Sequence, residues 1–103
     1  MKKFTLIVPD NAADKWPQVW DVMLKQFRGF TRKRAEGAWL DDQDRAHFDD
    51  SFEVTLAGDE SKWDQVVEIA RGLCDIGGEI CVYAEDTAGS VHFVYGTATA
   101  KAA

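Results

Sequence analysis

Apolar and polar residues alternate one by one in several short segments of this chain, as they do along a half-buried β-strand. The first such segment puts Phe4, Leu6 and Val8 on one face, and the most regular one does the same with Phe52, Val54 and Leu56. This alternation predicts strands, the last two forming a hairpin across residues 86–90. The predicted strands are residues 2–8, 30–40, 51–57, 79–85 and 91–95.

A first helix is predicted after a loop at residues 9–13. Asp14 is a suitable N-cap, and Pro17 lies in the first turn, where its missing N–H costs little. Gly29 is expected to end the helix. One wide apolar stripe at helical spacing runs along it, formed by Trp16, Val19, Trp20, Met23, Leu24 and Phe27.

A second helix is predicted after the turn at residues 58–60. Ser61 and Asp64 have the spacing of a capping box, and Gly77-Gly78 is a typical helix end. Its apolar stripe consists of Trp63, Val66, Val67, Ala70, Leu73 and Cys74.

The segment between the helices is the least regular. The predicted strand at 30–40 is interrupted at Glu36-Gly37, where we expect a bulge or tight turn. Residues 41–50 are polar and acidic, and we expect a loop there.

This order of elements predicts an α+β ferredoxin-like sandwich, an antiparallel sheet with two helices on one face and an added hairpin. Residues 1–96 are expected to form a single domain and residues 97–103 a flexible tail. The sheet face away from the helices is too apolar for water, and we expect a homo-oligomer, most simply a dimer that packs sheet to sheet. That face should carry Thr5, Ile7, Glu53, Thr55, Cys81 and Tyr83.

Charge narrows the choice of partner. The formal net charge is −6, and the sequence pI is near 4.7, so nucleic acid is a poor partner. The charge is polarised, with basic residues clustered at 25–34 and acidic ones at 36–53, which favours a protein partner. No signal peptide or membrane span is visible, so we expect a cytoplasmic protein with Cys74 and Cys81 as free thiols.

The run Gly29-Phe30-Thr31, followed by Gly37-Ala38-Trp39, an acidic turn and Asp50-Ser51, resembles a signature of small α+β proteins from phages and bacterial mobile elements. In that group, GGFT follows the first helix, and G-x-W, an acidic turn and a strand come next. Here Arg28 stands in place of the first glycine. The resemblance extends over residues 3–95 and implies the fold, but it carries no catalytic residues.

Candidate chemistry is sparse. The acidic residues after Trp39 offer oxygen ligands, but the calcium-loop spacing is absent, so we expect neither a metal nor a cofactor. His47 and His92 are the only histidines and belong to no recognisable catalytic motif. Cys81 has Glu79 and Glu85 beside it, which disfavours a reactive thiolate. No catalytic residue is therefore assigned from sequence.

A tryptophan next to charged residues is typical of binding surfaces, where Trp and Arg dominate the binding energy. The basic run at 28–34 holds too few aromatics for an RNA-binding strand. It is a site for a small anion, a contact for an acidic protein partner, or a charged edge strand. The candidate interaction residues are Trp39, Arg32, Arg34, Asp41, Asp42 and Asp44.

The sequence leaves three functions open, and the first is the leading hypothesis. It is a non-enzymatic protein-interaction module, in its sharper form an anti-CRISPR-type inhibitor from a phage or mobile element that acts through its acidic surface. The second is a small-molecule-binding or enzymatic ferredoxin-like dimer of the dimeric α+β barrel type. The third is a structural subunit of a phage or plasmid assembly. For the second function, the residues expected to line the ligand site, together with Trp39, are Tyr83, His92 and Tyr95.

Overall fold

A computed structural model describes residues 1–97 of the chain. Five strands and three helices follow one another, with a 3₁₀ turn at Glu60–Lys62 before the last helix. Their bounds are β1 Lys2–Pro9, α1 Asp10–Lys15, α2 Val19–Phe27, β2 Thr31–Leu40, β3 Ala46–Gly58, α3 Trp63–Gly77, β4 Cys81–Glu85 and β5 Val91–Tyr95.

The strands form one sheet in the order β2-β3-β1-β4-β5, and every neighbouring pair is antiparallel. The first four have the ferredoxin-like order, and β5 extends the sheet beyond β4. The predicted α+β ferredoxin-like sandwich is thereby confirmed, since the helices lie on one face and leave the other face open.

The hydrophobic core lies between the sheet and the helices. Phe4, Leu6 and Val8 point into it from the central strand and are almost completely buried. Their neighbours on β1, Thr5 and Ile7, point to the other face and are half-buried. The alternation along β1 therefore assigned both faces of the sheet correctly.

The first helical region differs from the prediction. Residues 10–15 form a short helix where a loop was expected, so Asp14 lies inside α1 and is not an N-cap. The chain then breaks at Trp16, whose φ and ψ are −133° and 68°, and α2 begins at Val19. Pro17 explains the break, because proline disfavours the helical conformation in the residue before it.

The end of α2 also differs from the prediction. Arg28 adopts a left-handed conformation with φ of 69° and ends the helix one residue before Gly29. Its N–H donates to the carbonyl of Leu24 at 2.9 Å. A non-glycine residue thus occupies a position that glycine usually takes.

The second half of the predicted loop at 41–50 is strand. β2 continues to Leu40 without the expected interruption, β3 begins at Ala46, and the turn between them is only 41–45. β1 ends at Pro9 opposite Ser51, so residues 36–50 extend past it as a two-stranded ribbon, which we call the β2–β3 arm. Strand pairing satisfies the backbone of this segment even though many of its side chains are polar.

The start of α3 has a different cap from the predicted one. The Asp59 carboxylate accepts a hydrogen bond from the Ser61 amide at 2.9 Å, and no Ser61–Asp64 capping box forms. The end of α3 is as predicted, because Gly78 has φ of 74°. β4 begins at Cys81, two residues later than expected.

The predicted tail falls mainly on residues 98–103, which lie outside the described part of the chain. Thr97 is described, and both its amide and its hydroxyl donate to the Asp75 carboxylate at 2.8 Å. Within residues 1–97, no helix has the length and apolar character needed to cross a membrane.

Candidate functional site

The open face of the sheet carries a groove with a volume of about 660 Å³. Alternate residues of β1, β3 and β4 form its base, and the β2–β3 arm forms one end. Its lining consists of Thr5, Ile7, Pro9, Ala35, Glu36, Gly37, Ala38, Trp39, Asp49, Ser51, Glu53, Glu79, Ile80, Cys81, Val82, Tyr83, Glu85 and Phe93.

The floor of the groove is apolar and partly aromatic. Ile7 lies on the central strand, and Tyr83 pairs across the strands with Phe93. The two rings meet edge to face, with centroids 5.9 Å apart. Phe93 is 61% exposed, so a large part of this floor is available to a ligand.

Carboxylates surround this floor. Five acidic residues line the groove, and among its described lining residues there is no lysine, arginine or histidine. Glu53 lies opposite Ile7 on β3, and Glu85 lies opposite Thr5 on β4. The nearest basic group to Glu53 is Lys33, whose Nζ is 3.5 Å from its Oε1. A concave apolar surface bordered by negative charge attracts cations and repels phosphates.

Trp39 forms the wall of the groove at the arm. Its indole N–H donates to Asp49 Oδ2 at 2.8 Å. The ring of His47, its cross-strand partner, stacks on it with centroids 4.4 Å apart and an interplanar angle of 16°. These two contacts fix the orientation of the indole, although Trp39 remains 47% exposed.

Asp41 organises the tip of the arm. Its Oδ1 accepts the amides of Gln43 and Arg45, both at 2.9 Å, and its Oδ2 lies 2.9 Å from His47 Nε2. The hydrogen bond with His47 is the largest cause that lowers the pKa of Asp41 to about 2, followed by the amide of Arg45. Asp41 thus holds the His47 ring, and this ring stacks on Trp39.

The hairpin between β4 and β5 repeats this arrangement. Asp86 Oδ1 accepts the amides of Ala88 and Ser90, and its Oδ2 lies 2.9 Å from His92 Nε2. His92 packs on Trp63 with ring centroids 4.7 Å apart, on the helix side of the sheet. His92, a predicted ligand-lining residue, therefore lies on the other side of the sheet from the groove.

The other two predicted ligand-lining residues lie on the open face. Tyr83 lines the groove. Tyr95 is exposed on the same face, on the outermost strand and outside the groove lining.

The predicted interaction residues do not form one surface. Arg32 lies on the helix side, with its guanidinium 4.5 Å from the ring centroid of Trp20 and 5.1 Å from that of Phe52. Arg34 lies on the same side and donates two hydrogen bonds of 2.7 Å to Asp10. Both arginines therefore face away from Trp39, because even-numbered and odd-numbered residues of β2 point to opposite faces of the sheet.

Asp42 and Asp44 lie in the exposed turn at the tip of the arm and do not line the groove. Asp44 has φ of 60°, which is the left-handed conformation that aspartate tolerates in turns. In the described residues, no group of three or more His, Cys, Asp or Glu side chains is placed to hold a metal ion.

The two cysteines differ in position but share a direction of pKa shift. Cys74 is buried in α3, and its burial raises the pKa of the thiol to about 11. Cys81 lines the groove, and burial, together with Glu79, also raises its pKa. A raised pKa keeps both thiols protonated at neutral pH, so neither is suited to act as a nucleophile.

Sequence reasoning did not identify most of the acidic residues that line the groove. Glu79 and Glu85 were considered only as neighbours of Cys81, and Asp49 was placed in a loop. The sequence did contain part of the information, because the alternation of residues along β3 and β4 puts Glu53 and Glu85 on the open face with Ile7. What brings β4 beside β1 is the strand order, which alternation within a strand does not encode.

Comparisons with known proteins give structural neighbours only. No family model matches the chain, and no curated protein matches it. A phage SAM lyase in complex with S-methyl-5'-thioadenosine has a similar structure with a TM-score of 0.67 at 13% sequence identity, covering 91% of this chain and 88% of that chain. A phage SAM lyase in the apo state aligns with a TM-score of 0.62 at 9% identity, covering 92% and 89%.

At these identities, the likeness shows the shared fold. It also contradicts the expectation of a non-enzymatic interaction module or inhibitor, because a fold that matches over nearly the whole of both chains belongs to an enzyme. The same finding counts against the preference for a non-enzymatic function. The comparison favours the alternative hypothesis of a small-molecule-binding or enzymatic ferredoxin-like protein.

Proposed function

We propose that this chain is an enzyme that binds S-adenosylmethionine (SAM) in the open-face groove and cleaves it to S-methyl-5'-thioadenosine. The observation that carries the proposal is an apolar groove lined by five carboxylates and, in the described lining, no basic side chain. The full-length likeness to a phage SAM lyase supports it.

The charge of the groove suits this substrate class. SAM carries a sulfonium and an ammonium group beside one carboxylate, so its reacting end is cationic and also has apolar surface. Glu53 and Glu85 border the floor formed by Ile7 and Tyr83, where a sulfonium would be attracted by charge and packed by apolar atoms. Nucleotide phosphates would be repelled by the five lining carboxylates, and Lys33, which lies beside Glu53, is already paired with it.

The size of the groove also fits. Ligand sites for small molecules typically have volumes of about 300–1,000 Å³ and combine apolar walls with a few polar groups. The volume of about 660 Å³ lies inside that range. The groove is therefore large enough for a nucleoside with an amino-acid side chain.

The reaction balances without added water. The bond between the sulfonium sulfur and the four-carbon amino-acid chain breaks, and its electron pair stays on sulfur as the neutral thioether of S-methyl-5'-thioadenosine. As this bond breaks, the four-carbon fragment either loses a proton from its β-carbon to a protein carboxylate, forming a C=C bond, or closes a ring by attack of its own carboxylate oxygen on the γ-carbon. Glu53 and Glu85 are the candidate groups for holding the cation and, in the first route, for accepting the proton.

The carboxylates should be tested one at a time. Wild-type protein incubated with SAM is expected to release S-methyl-5'-thioadenosine, measured by chromatography. Glu53→Gln and Glu85→Gln should each lower kcat/KM by about tenfold or more. Glu68→Gln is the matched control, because Glu68 lies on α3, pairs with Arg71 and removes the same charge far from the groove. A wild-type protein that neither binds nor cleaves SAM would refute the proposal.

We also propose that the chain forms a homo-oligomer through the open face and acts in the cytoplasm, where SAM is made. Exposed apolar side chains continue beyond the groove on this face, at Val91 and Tyr95. Covering them with a second copy would remove apolar area from water. Light scattering should give a mass above that of one chain, and Tyr95→Ser should lower it. A single-chain mass at every concentration would contradict this part of the proposal.

A further inference from the structure

We infer that Trp39 is the surface on which the adenine ring of the ligand stacks, an inference that rests on the proposed function. Trp39 lies at the arm end of the groove, and its indole is held by Asp49 and His47. The acidic positions Glu53 and Glu85 lie along the sheet from it. One end of the groove therefore suits a flat aromatic ring and the rest suits a cation.

The orientation of the indole is fixed before any ligand arrives. The hydrogen bond to Asp49 is 2.8 Å long, and His47 covers one face of the ring in near-parallel stacking. His47 in turn lies 2.9 Å from a carboxylate oxygen of Asp41. A stacking surface that is already ordered loses little conformational entropy when it binds a ligand.

Packing in the hydrophobic core does not account for this arrangement. The indole projects from a ribbon that lies beyond the end of β1, away from the hydrophobic core, and Trp39 remains 47% exposed. The other aromatic residues of the groove, Tyr83 and Phe93, contact each other edge to face. Within the lining, Trp39 is the aromatic side chain whose ring plane is set by a hydrogen bond and a stacked neighbour.

Stacking of a base on an aromatic side chain raises binding affinity by about tenfold to a hundredfold. Trp39→Ala should weaken the binding of S-methyl-5'-thioadenosine by that factor. It should leave the binding of S-methylmethionine unchanged, because this sulfonium has no adenine. Trp39→Phe keeps a stacking ring and should stay within a few-fold of wild type.

The experiment is calorimetric titration of full-length protein with both ligands. Phe48→Ala is the control variant, since Phe48 lies on the other face of the same arm and is 70% exposed. A second measurement guards against disruption of the arm by Trp39→Ala. S-methyl-5'-thioadenosine should quench indole fluorescence in the wild type, and this quenching should be lost in Trp39→Phe although that variant still binds.

The outcomes separate the two proposals. If the wild type binds S-methyl-5'-thioadenosine and Trp39→Ala binds it equally well, the stacking role is overturned and the proposed function stands. Equal losses for both ligands in Trp39→Ala would also overturn it, because Trp39 would then not be specific for the adenine. If the wild type binds neither SAM nor S-methyl-5'-thioadenosine, the proposed function fails and the stacking role fails with it.

Discussion

Ala12 and Gly77 approach so closely that a Cβ on Gly77 would lie 2.5 Å from the Cβ of Ala12 and 2.7 Å from its Cα. The contact joins α1 to the end of α3. It is reinforced by Asn11, whose side-chain amide donates to the carbonyl of Gly77 at 3.0 Å. The absence of a side chain at position 77 is thus what lets the short helix α1 dock.

Gly77→Ala should therefore lower the free energy of unfolding by about 1–3 kcal/mol, because backbone atoms of α1 would have to shift. Urea denaturation measures this. Gly29→Ala is the matched control, since a Cβ there would meet nothing within 4 Å, and its midpoint should stay close to wild type. Equal midpoints for the two variants would show that α1 can move without loss.

Arg28→Gly is expected to stabilise the protein. Arg28 is held at φ of 69°, a left-handed conformation that costs a residue with a Cβ about 1–2 kcal/mol. Glycine removes this cost but adds entropy to the unfolded chain, which leaves a net gain of about 0.5–1 kcal/mol. Arg28→Ala is the control that removes the charge but keeps the Cβ, and it should show no gain. Thermal unfolding of the two variants distinguishes backbone strain from charge.

The pKa of Asp41, lowered to about 2, should rise toward its ordinary value in His47→Ala, because the hydrogen bond with His47 is its largest cause. Carboxyl-carbon NMR titration measures the change. Asp59 is the internal control, because the amide of Ser61 lowers its pKa and the substitution leaves that contact intact. An Asp41 titration that does not move would show that the turn amides alone hold the carboxylate.

The lowered pKa of Asp41 determines how the stability of the folded protein changes with pH. A carboxylate whose pKa is lower in the folded protein stabilises it above its unfolded pKa, near 4, and this contribution is lost as the pH falls toward 2. The stacking of Trp39 on His47 should accordingly persist at pH 5 and weaken below about pH 3. Near-ultraviolet circular dichroism of the wild type, compared with Trp39→Phe, follows this.

Cys81 provides a chemical test of the groove. Its raised pKa predicts slow alkylation by iodoacetamide at pH 8, and S-methyl-5'-thioadenosine should slow it further because Cys81 lines the groove. Cys74 has a pKa of about 11 and is buried, so it should remain unmodified in the folded protein. Peptide mass spectrometry reports both sites in one sample. If saturating S-methyl-5'-thioadenosine leaves the alkylation rate of Cys81 unchanged, the ligand binds outside the groove.

Much of the fold could be predicted because the residues of β1 and β3 alternate strictly, and because Gly78 marks the end of α3 clearly. The errors have local physical causes. Pro17 suggested a helix start but instead divides two helices. The acidic character of residues 46–50 suggested a loop, although pairing with β2 holds them as a strand. In the second region, pairing between β2 and β3 overrides the local preference.

The candidate site was less predictable than the fold. Trp39 was identified from its surroundings in the sequence, and Tyr83 from its parity on the strand. Arg32 and Arg34 were grouped with Trp39 because they are close in sequence, but parity along β2 separates them onto the other face. Glu79 and Asp49 line the groove together because of the order in which the strands lie in the sheet, and this order cannot be read from local sequence patterns.

The open sheet face has a consequence for how such proteins can diverge. β1, β3 and β4 each give one set of side chains to the hydrophobic core and the alternate set to the groove. Leu6 and Ile7 are therefore adjacent in sequence, but Leu6 packs in the core whereas Ile7 lines the groove. Substitutions in the groove set can alter ligand preference without disturbing the packing under the helices. Lineages that keep this architecture can therefore exchange most of their residues, in keeping with a shared fold at 13% identity.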